Sequence, residues 1–383
     1  PSFLGHQICP PLATPIAIDM LISTLNQSTA VWEMSPIGTV IEKEIVRWLA
    51  DLAGYPPEAE GTAVSGGSAA NLTALMAARA RWRHDADNET KQPIVVTSAD
   101  AHYSIARAAA IMGIPSTNVI KVATDDEHRM DVAALEQTLA ALESRDDASV
   151  LAIAATSGST ATGAFDKLDE IALLRDRYRT WLHVDAAHGA SVLLSESLRP
   201  LVRGIDRSDS MSWDPHKMMW MPLSMSSVLV REGIWLRRAF QADAPYLFNA
   251  AGAAENLGEM AIQCSKRVDA IKLWLTLKAH GVEPIVSALE RVAALTRYLH
   301  DRLRDSDDFE PLHEPAFNIL CFRHRASDDA ATAEMRERLC RSGEAWITTT
   351  LLRGRRVLRV TMMNPRTTEA HIDRMIGALR RHA

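Results

Sequence analysis

Short continuous apolar runs, separated by stretches whose apolar residues recur at helical spacing, fill the middle of the chain. Residues 94–97, 119–122, 150–156, 181–185 and 224–230 read as strands. Residues 69–83, 105–112, 131–143 and 168–178 read as the helices between them. The run 150–156 is apolar on both faces until Thr156, as buried parallel strands are. Strand, loop, helix and strand from 150 to 185 make a parallel crossover, which puts Thr156 and Asp185 at the same sheet edge.

The flanks read differently. Residues 1–12 are extended, and a helix at 15–25 carries Ile16, Met20 and Leu21 near helical spacing. A second helix from Pro36 to about residue 53 gathers Val40, Ile41, Ile45, Trp48, Leu49 and Leu52 on one broad face. Gly54-Tyr55-Pro56-Pro57 closes it. Residues 239–258 read as a long mobile loop with Tyr246 exposed. Helices at 269–280 and 282–304 lead into a smaller part, with strands at 317–323, 345–350 and 356–362 and a last helix at 369–380. The expectation is an α/β chain in three parts: an N-terminal segment, 1–55; a large domain, 56–285, with a mostly parallel sheet; and a small C-terminal α+β domain, 286–383.

Composition narrows the function classes. With 383 residues, 47% hydrophobic and 23% charged, the chain reads as an ordinary globular protein. A net charge of −6 gives no footprint for nucleic acid or anionic membrane. No apolar run reaches spanning length, and residues 1–22 lack the basic start of a signal peptide. Four cysteines without a CxxC pair argue against a disulfide framework and make the cytoplasm the expected compartment.

Candidate chemistry lies at strand ends. Lys217 follows Asp214-Pro215-His216 and precedes Met218-Met219-Trp220-Met221, an unusual place for a positive charge. An amine stripped of water there is available as a nucleophile for a carbonyl, and pyridoxal phosphate (PLP) is the commonest carbonyl cofactor held that way. Taken alone, a lysine snorkelling from the end of a buried strand is the commoner explanation. Asp185, flanked by alanines after an apolar strand, requires a cation, and a protonated pyridine nitrogen is one. A metal held by His183, Asp185 and His188 lacks a fourth ligand at recognisable spacing. Ser65-Gly66-Gly67-Ser68 opens a helix, and fits either a phosphate cradle or a plain N-cap. His102 sits where a strand meets a helix, and fits either a ring stacked on an aromatic ligand or a helix-entry histidine.

Four motifs occur in one order: Ser-Gly-Gly-Ser-Ala-Ala-Asn (65–71), Asp-Ala-His-Tyr-Ser-Ile (100–105), His-Val-Asp-Ala-Ala-His-Gly (183–189) and Asp-Pro-His-Lys (214–217). Together they resemble the group II PLP-dependent amino acid decarboxylases, which have the aspartate aminotransferase-like fold type I. The resemblance runs through nearly the whole chain. It implies that Lys217 is the Schiff-base lysine, Asp185 the partner of the pyridine nitrogen, His102 the stacking imidazole and Ala187 the small residue on the other ring face. It implies phosphate contacts from Gly67, Ser68 and His216, and Thr156 near the phenolic oxygen. Tyr246 matches a loop tyrosine that protonates the carbon left after CO2 departs. Arg359 matches an arginine that holds a substrate carboxylate, and His6 and Ser28 match residues that line the side-chain pocket, in part from a neighbouring subunit.

The implied activity is decarboxylation of an L-amino acid to its amine and CO2 by a homodimer with its active site at the subunit interface. The polar His6 and Ser28 favour a small polar or acidic substrate. An aminotransferase, an oxidative aldehyde-forming relative and a catalytically silent homologue acting as a binding module are the alternatives. Two departures from the family stand out. Asp214 replaces the Asn that many members carry, and Pro1 stands close to the pocket segment, where the family usually has further helices upstream.

Overall fold

The computed structural model describes residues 2–242, 244, 247, 248 and 255–383. Its strands are β1 (Glu60–Val64), β2 (Gln92–Ser98), β3 (Val119–Val122), β4 (Ala148–Thr156), β5 (Trp181–Asp185), β6 (Ser210–Trp213), β7 (Ser226–Val230), β8 (Phe309–Pro311), β9 (Ile319–His324), β10 (Thr348–Leu352) and β11 (Arg355–Thr361). The first seven form one sheet in the order β1-β7-β6-β5-β4-β2-β3. From β6 to β3 neighbouring strands are parallel, whereas β7 runs antiparallel to both β1 and β6. The last four form an antiparallel sheet, β10-β11-β9-β8. The expected α/β architecture, with a mostly parallel sheet and a smaller C-terminal one, is the one observed.

The helices are α1 (Ala13–Leu25), α2 (Pro36–Leu52), α3 (Gly67–His84), α4 (Ser104–Ile111), α5 (Val132–Glu143), α6 (Leu168–Arg177), α7 (Pro215–Met218), α8 (Gly233–Phe240), α9 (Ala270–His280), α10 (Glu283–Arg304), α11 (Asp329–Ser342) and α12 (Glu369–His382). Several elements escape a periodicity reading. β1 is five residues at a sheet edge, β6 is four buried residues rich in serine, and α11 is mostly polar. α8 occupies the start of the stretch expected to be a loop. The strand expected at 345–350 runs Thr348–Leu352 instead.

The N-terminal helices bury one face and show the other. In α2, Ile41, Ile45, Val46 and Leu49 are buried, while Val40, expected on that face, is half exposed. In α1 the residues at helical spacing, Ile16, Met20 and Leu21, point outward, and Pro15, Ile18 and Ile22 carry the burial. Glu42, on the buried face of α2, is satisfied by Lys266 and Thr62 and by the backbone N–H of Ala63. A buried carboxylate so fully paired fixes α2 against β1 and against the segment that carries Lys266. Among the described residues, no helix is long and apolar enough to cross a membrane.

Candidate active site

Parallel pairing delivers the site. Thr156 of β4, Asp185 of β5 and Ser212 of β6 are register partners at the C-terminal ends of adjacent strands. Open α/β sheets bind ligands at that edge. Beyond it lies a cavity of about 250 Å³, lined by Gly67, Ser68, His102, Thr156, Asp185, Ala187, His216 and Lys217 among others. Larger hollows, among them one of about 530 Å³ beside Trp82 and one of about 570 Å³ beside Lys167, lack this convergence of groups.

Lys217 stands on the single turn α7, which Pro215 opens at a position where a missing N–H costs nothing. Its ammonium is not unpaired, as the apolar neighbours suggest, because Asp214 Oδ2 lies 3.1 Å away. The chain just beyond is held by Lys272, fully buried, whose Nζ donates to the carbonyls of Pro222 and Ser224 and pairs with Asp269 at 2.8 Å.

Asp185 accepts from Asn71 Nδ2 at 2.9 Å, Ser212 Oγ at 3.1 Å and the Ala187 N–H at 3.3 Å. Because a carboxylate only accepts, the amide nitrogen of Asn71 must face it, and Asn71 Oδ1 then accepts from His183 Nε2 at 3.0 Å. His183 Nδ1 takes its hydrogen bond from Ser210 Oγ. Burial holds this imidazole well below its ordinary range, in the neutral form. His183 is thus committed to an amide and a hydroxyl rather than to a metal.

The second amide hydrogen of Asn71 goes to Ser104 Oγ at 2.9 Å. That leaves the Ser104 hydroxyl to donate to His102 Nδ1 at 2.8 Å, and the Ser104 N–H points to the same nitrogen. His102 therefore carries its proton on Nε2. Burial lowers its pKa, and the negative charge of Asp185 opposes that. Burial also drives His188 down to about 3, helped by the charge of Lys217, while its Nε2 bonds Asn318 Oδ1 at 2.8 Å.

Gly67 and Ser68 begin α3, so their N–H groups sit at the positive end of an eighteen-residue helix. A side chain at Gly67 has no room: a Cβ there would lie 2.9 Å from Asp214 Oδ2 and 3.0 Å from the Ala187 methyl. Thr156 is clasped by Asp166, whose Oδ2 accepts its N–H at 2.7 Å. The Thr156 and Ser157 hydroxyls, His188 Nδ1 and Asp214 Oδ1 are buried without a hydrogen-bond partner. Buried polar atoms left open around a cavity with a lysine and a helix N-terminus suit an aldehyde-bearing phosphate ester such as PLP.

The expected substrate residues are placed less directly. Arg359 is buried behind the cavity wall, donating to the Thr160 carbonyl at 2.7 Å, and its Nε has no partner. His6 is its neighbour, and burial and then the Arg359 charge lower its pKa. Ser28 spends its hydroxyl on the N–H groups of Lys266 and Ala30 and does not line the cavity in this chain. Tyr246 lies outside the described residues. Gln7 and Thr160 do line the cavity, and Gln7 Nε2 is buried without a partner. Neither they nor Asn71 carries a periodicity signal; only the motif containing Asn71 hinted at its use.

The fold is fold type I and the cavity's lysine, acid and helix N-terminus suit PLP, and comparison with known proteins gives the family. The pyridoxal-dependent decarboxylase conserved domain matches residues 11–325, and the chain belongs to that family. It is 36% identical over 318 residues to the acidic amino acid decarboxylase GADL1 of Mus musculus, covering 80% of this chain and 57% of that one. It is 34% identical over 386 residues to the L-2,4-diaminobutyrate decarboxylase of Rhizobium meliloti (strain 1021), covering 99% of this chain and 77% of the relative. The crystal structure of mouse CSAD aligns over all of this chain and 83% of its own, with a TM-score of 0.93 and 31% identity.

Proposed function

We propose that this chain decarboxylates an L-amino acid with a small polar or acidic side chain, releasing the amine and CO2, with PLP as cofactor. The observation that carries the reading is that Lys217, Asp185, His102 and the N-terminus of α3 all border one cavity at the sheet edge. Gln7 Nε2 and Arg359 Nε, buried donors without partners near that cavity, support a polar or anionic substrate. A relative named for acidic amino acids points the same way.

Bound PLP supplies a carbonyl that captures an amine and an electron sink for the pair released when the Cα–carboxylate bond breaks. The protein's part is positional and electrostatic. The first N–H groups of α3, with Ser68 and His216, hold the phosphate. Asp185, its two oxygens fixed by Asn71, Ser212 and Ala187, keeps the proton on the pyridine nitrogen. His102, neutral and with its proton on Nε2, stacks on one ring face and Ala187 packs on the other. That sandwich would fix the plane of the ring, against which overlap requires the scissile bond to stand perpendicular. Tyr246 is assigned the proton delivered to Cα.

The reading extends to assembly. The exposed apolar residues of α1 (Ile16, Met20, Leu21, Leu25), with Met34, Ile37 and Val40, form a surface suited to a second copy of the chain. A homodimer completing each active site from both subunits is the proposed form. Residues 1–55, 56–285 and 286–383 are its three proposed parts. Four free thiols suit the cytoplasm. The decisive assay screens a panel of L-amino acids for CO2 release by PLP-loaded protein. Keto acid in place of amine and CO2, or CO2 accompanied by aldehyde, ammonia and peroxide in place of the amine, would overturn the reading.

A further inference from the structure

Asp214 is the buried acid of the site to which the proposed chemistry gives no work. Its side chain is 1% exposed, with Oδ2 at 3.1 Å from Lys217 Nζ and 3.6 Å from His216 Nε2. Oδ1 has no hydrogen-bond partner. The Asp214 N–H is tied to the Ala187 carbonyl at 3.1 Å, which fixes the residue beneath the cavity. The carboxylate also crowds Gly67, where the phosphate cradle begins.

A buried carboxylate needs hydrogen-bond donors or a cation, and Asp214, unlike Asp185, has an oxygen without a donor. The titratable and charged groups around Lys217 are Asp214 and His216 on its own turn, Asp185 from β5, His188 after it and His102 before α4, with Lys272 of α9 behind His216. Burial lowers the pKa of all three imidazoles, which favours their neutral forms. His216 Nδ1 faces the Met225 carbonyl at 2.6 Å, while its Nε2 stays 3.6 Å from Asp214, farther than Lys217 Nζ. Asp185 is engaged by Asn71 and Ser212 and faces the pyridine position. Lys217 is left as the cation for Asp214.

Resting on the assignment of Lys217 as the cofactor lysine, we propose that Asp214 is its positioning counter-ion. It seats the lysine as an ammonium whenever that amine is not bonded to the cofactor aldehyde. When the substrate amino group takes over the aldehyde carbon, a C–N bond to substrate forms and the C–N bond to Lys217 breaks. The protons that the substrate ammonium gives up as its nitrogen becomes the imine nitrogen end on Lys217 Nζ, which leaves as an ammonium against Asp214 Oδ2. The carboxylate thus favours release of the lysine and slows its recapture.

The test uses Asp214→Asn, which keeps the shape and removes the charge. Protein freed of cofactor is mixed with PLP between about pH 6 and pH 9, and the imine absorbance is followed. The pH at which capture is half-maximal should fall by about one unit or more, the size expected when an opposite charge within hydrogen-bonding distance is lost. Affinity for pyridoxine 5′-phosphate, which has the phosphate but no aldehyde, should not change. An unchanged midpoint overturns the proposal. So does equal tightening of both ligands, which would mean that Asp214 acts on the phosphate. Asp214→Ser gives the same readings should the Asn variant not fold. Imine formation that survives in Lys217→Ala would overturn the cofactor assignment and this proposal together, and it is recognised without any change at Asp214.

Discussion

Asn71 Nδ2 donates to Asp185 Oδ2 at 2.9 Å, from the second turn of a helix to the last residue of a strand 114 positions away. The same amide reaches His183 and Ser104, so one side chain orients the acid and, through Ser104, sets the tautomer of His102. Asn71→Ala is expected to fold, because the residue lies within a helix, and to bind PLP. Losing a hydrogen bond to a charged group costs about 1.5–3 kcal/mol, or roughly ten- to a hundredfold in turnover. Steady-state kinetics on the reconstituted variant read this, and turnover at the wild-type rate would show that Asp185 needs no such support.

In the proposed mechanism Lys217 and Asp185 divide the cofactor's two ends between them. Lys217→Ala should abolish the imine absorbance and borohydride trapping. Asp185→Ala should retain some PLP, through the phosphate site, and lose most turnover. A spectrum and a CO2 assay on each variant separate the two roles, and normal decarboxylation by either removes its assignment.

Acid sensitivity follows from the buried imidazoles. His188 is driven to about 3 and His313 to about 4, both by burial, from an ordinary value of 6.5. Between those values and 6.5 the unfolded chain binds protons that the folded chain does not. Their contribution is therefore fully present above pH 6.5 and is lost as pH falls through that window. Asp166, raised by burial to about 6, acts with the opposite sign between 6 and 3.8. The two histidines outnumber it, so Tm should fall on acidification from pH 6.5 to 4. His313→Gln, remote from the cavity, should flatten that slope, and a slope as steep as wild type's would discount the imidazole.

The outward apolar surface of the N-terminal helices carries the dimer proposal. Ile37 is 70% exposed and Met20 is 69% exposed. Ile37→Glu should leave the monomer fold intact, as both ends of the substitution meet solvent, while light scattering shows the population shifting from dimer to monomer. An unaltered dimer would move the interface elsewhere.

The chain's own pattern determined much. The apolar runs at β2, β4 and β5 read as strands, and the parallel crossover from β4 to β5 puts the ends that carry Thr156 and Asp185 at one edge. Lys217, His102 and Gly67 were legible because each motif is a local departure from what packing alone would choose. What tertiary structure decided is who answers whom. Glu42 finds Lys266, and Lys217 finds Asp214 instead of a bare apolar wall. Asn71 joins three elements, and Gln7 enters the cavity where His6 was expected. Periodicity reports which face of an element is buried, and it carries nothing about partners a hundred residues away. A hydrogen bond depends on the direction and distance of two side chains, and only the packed sheet and its helices set those.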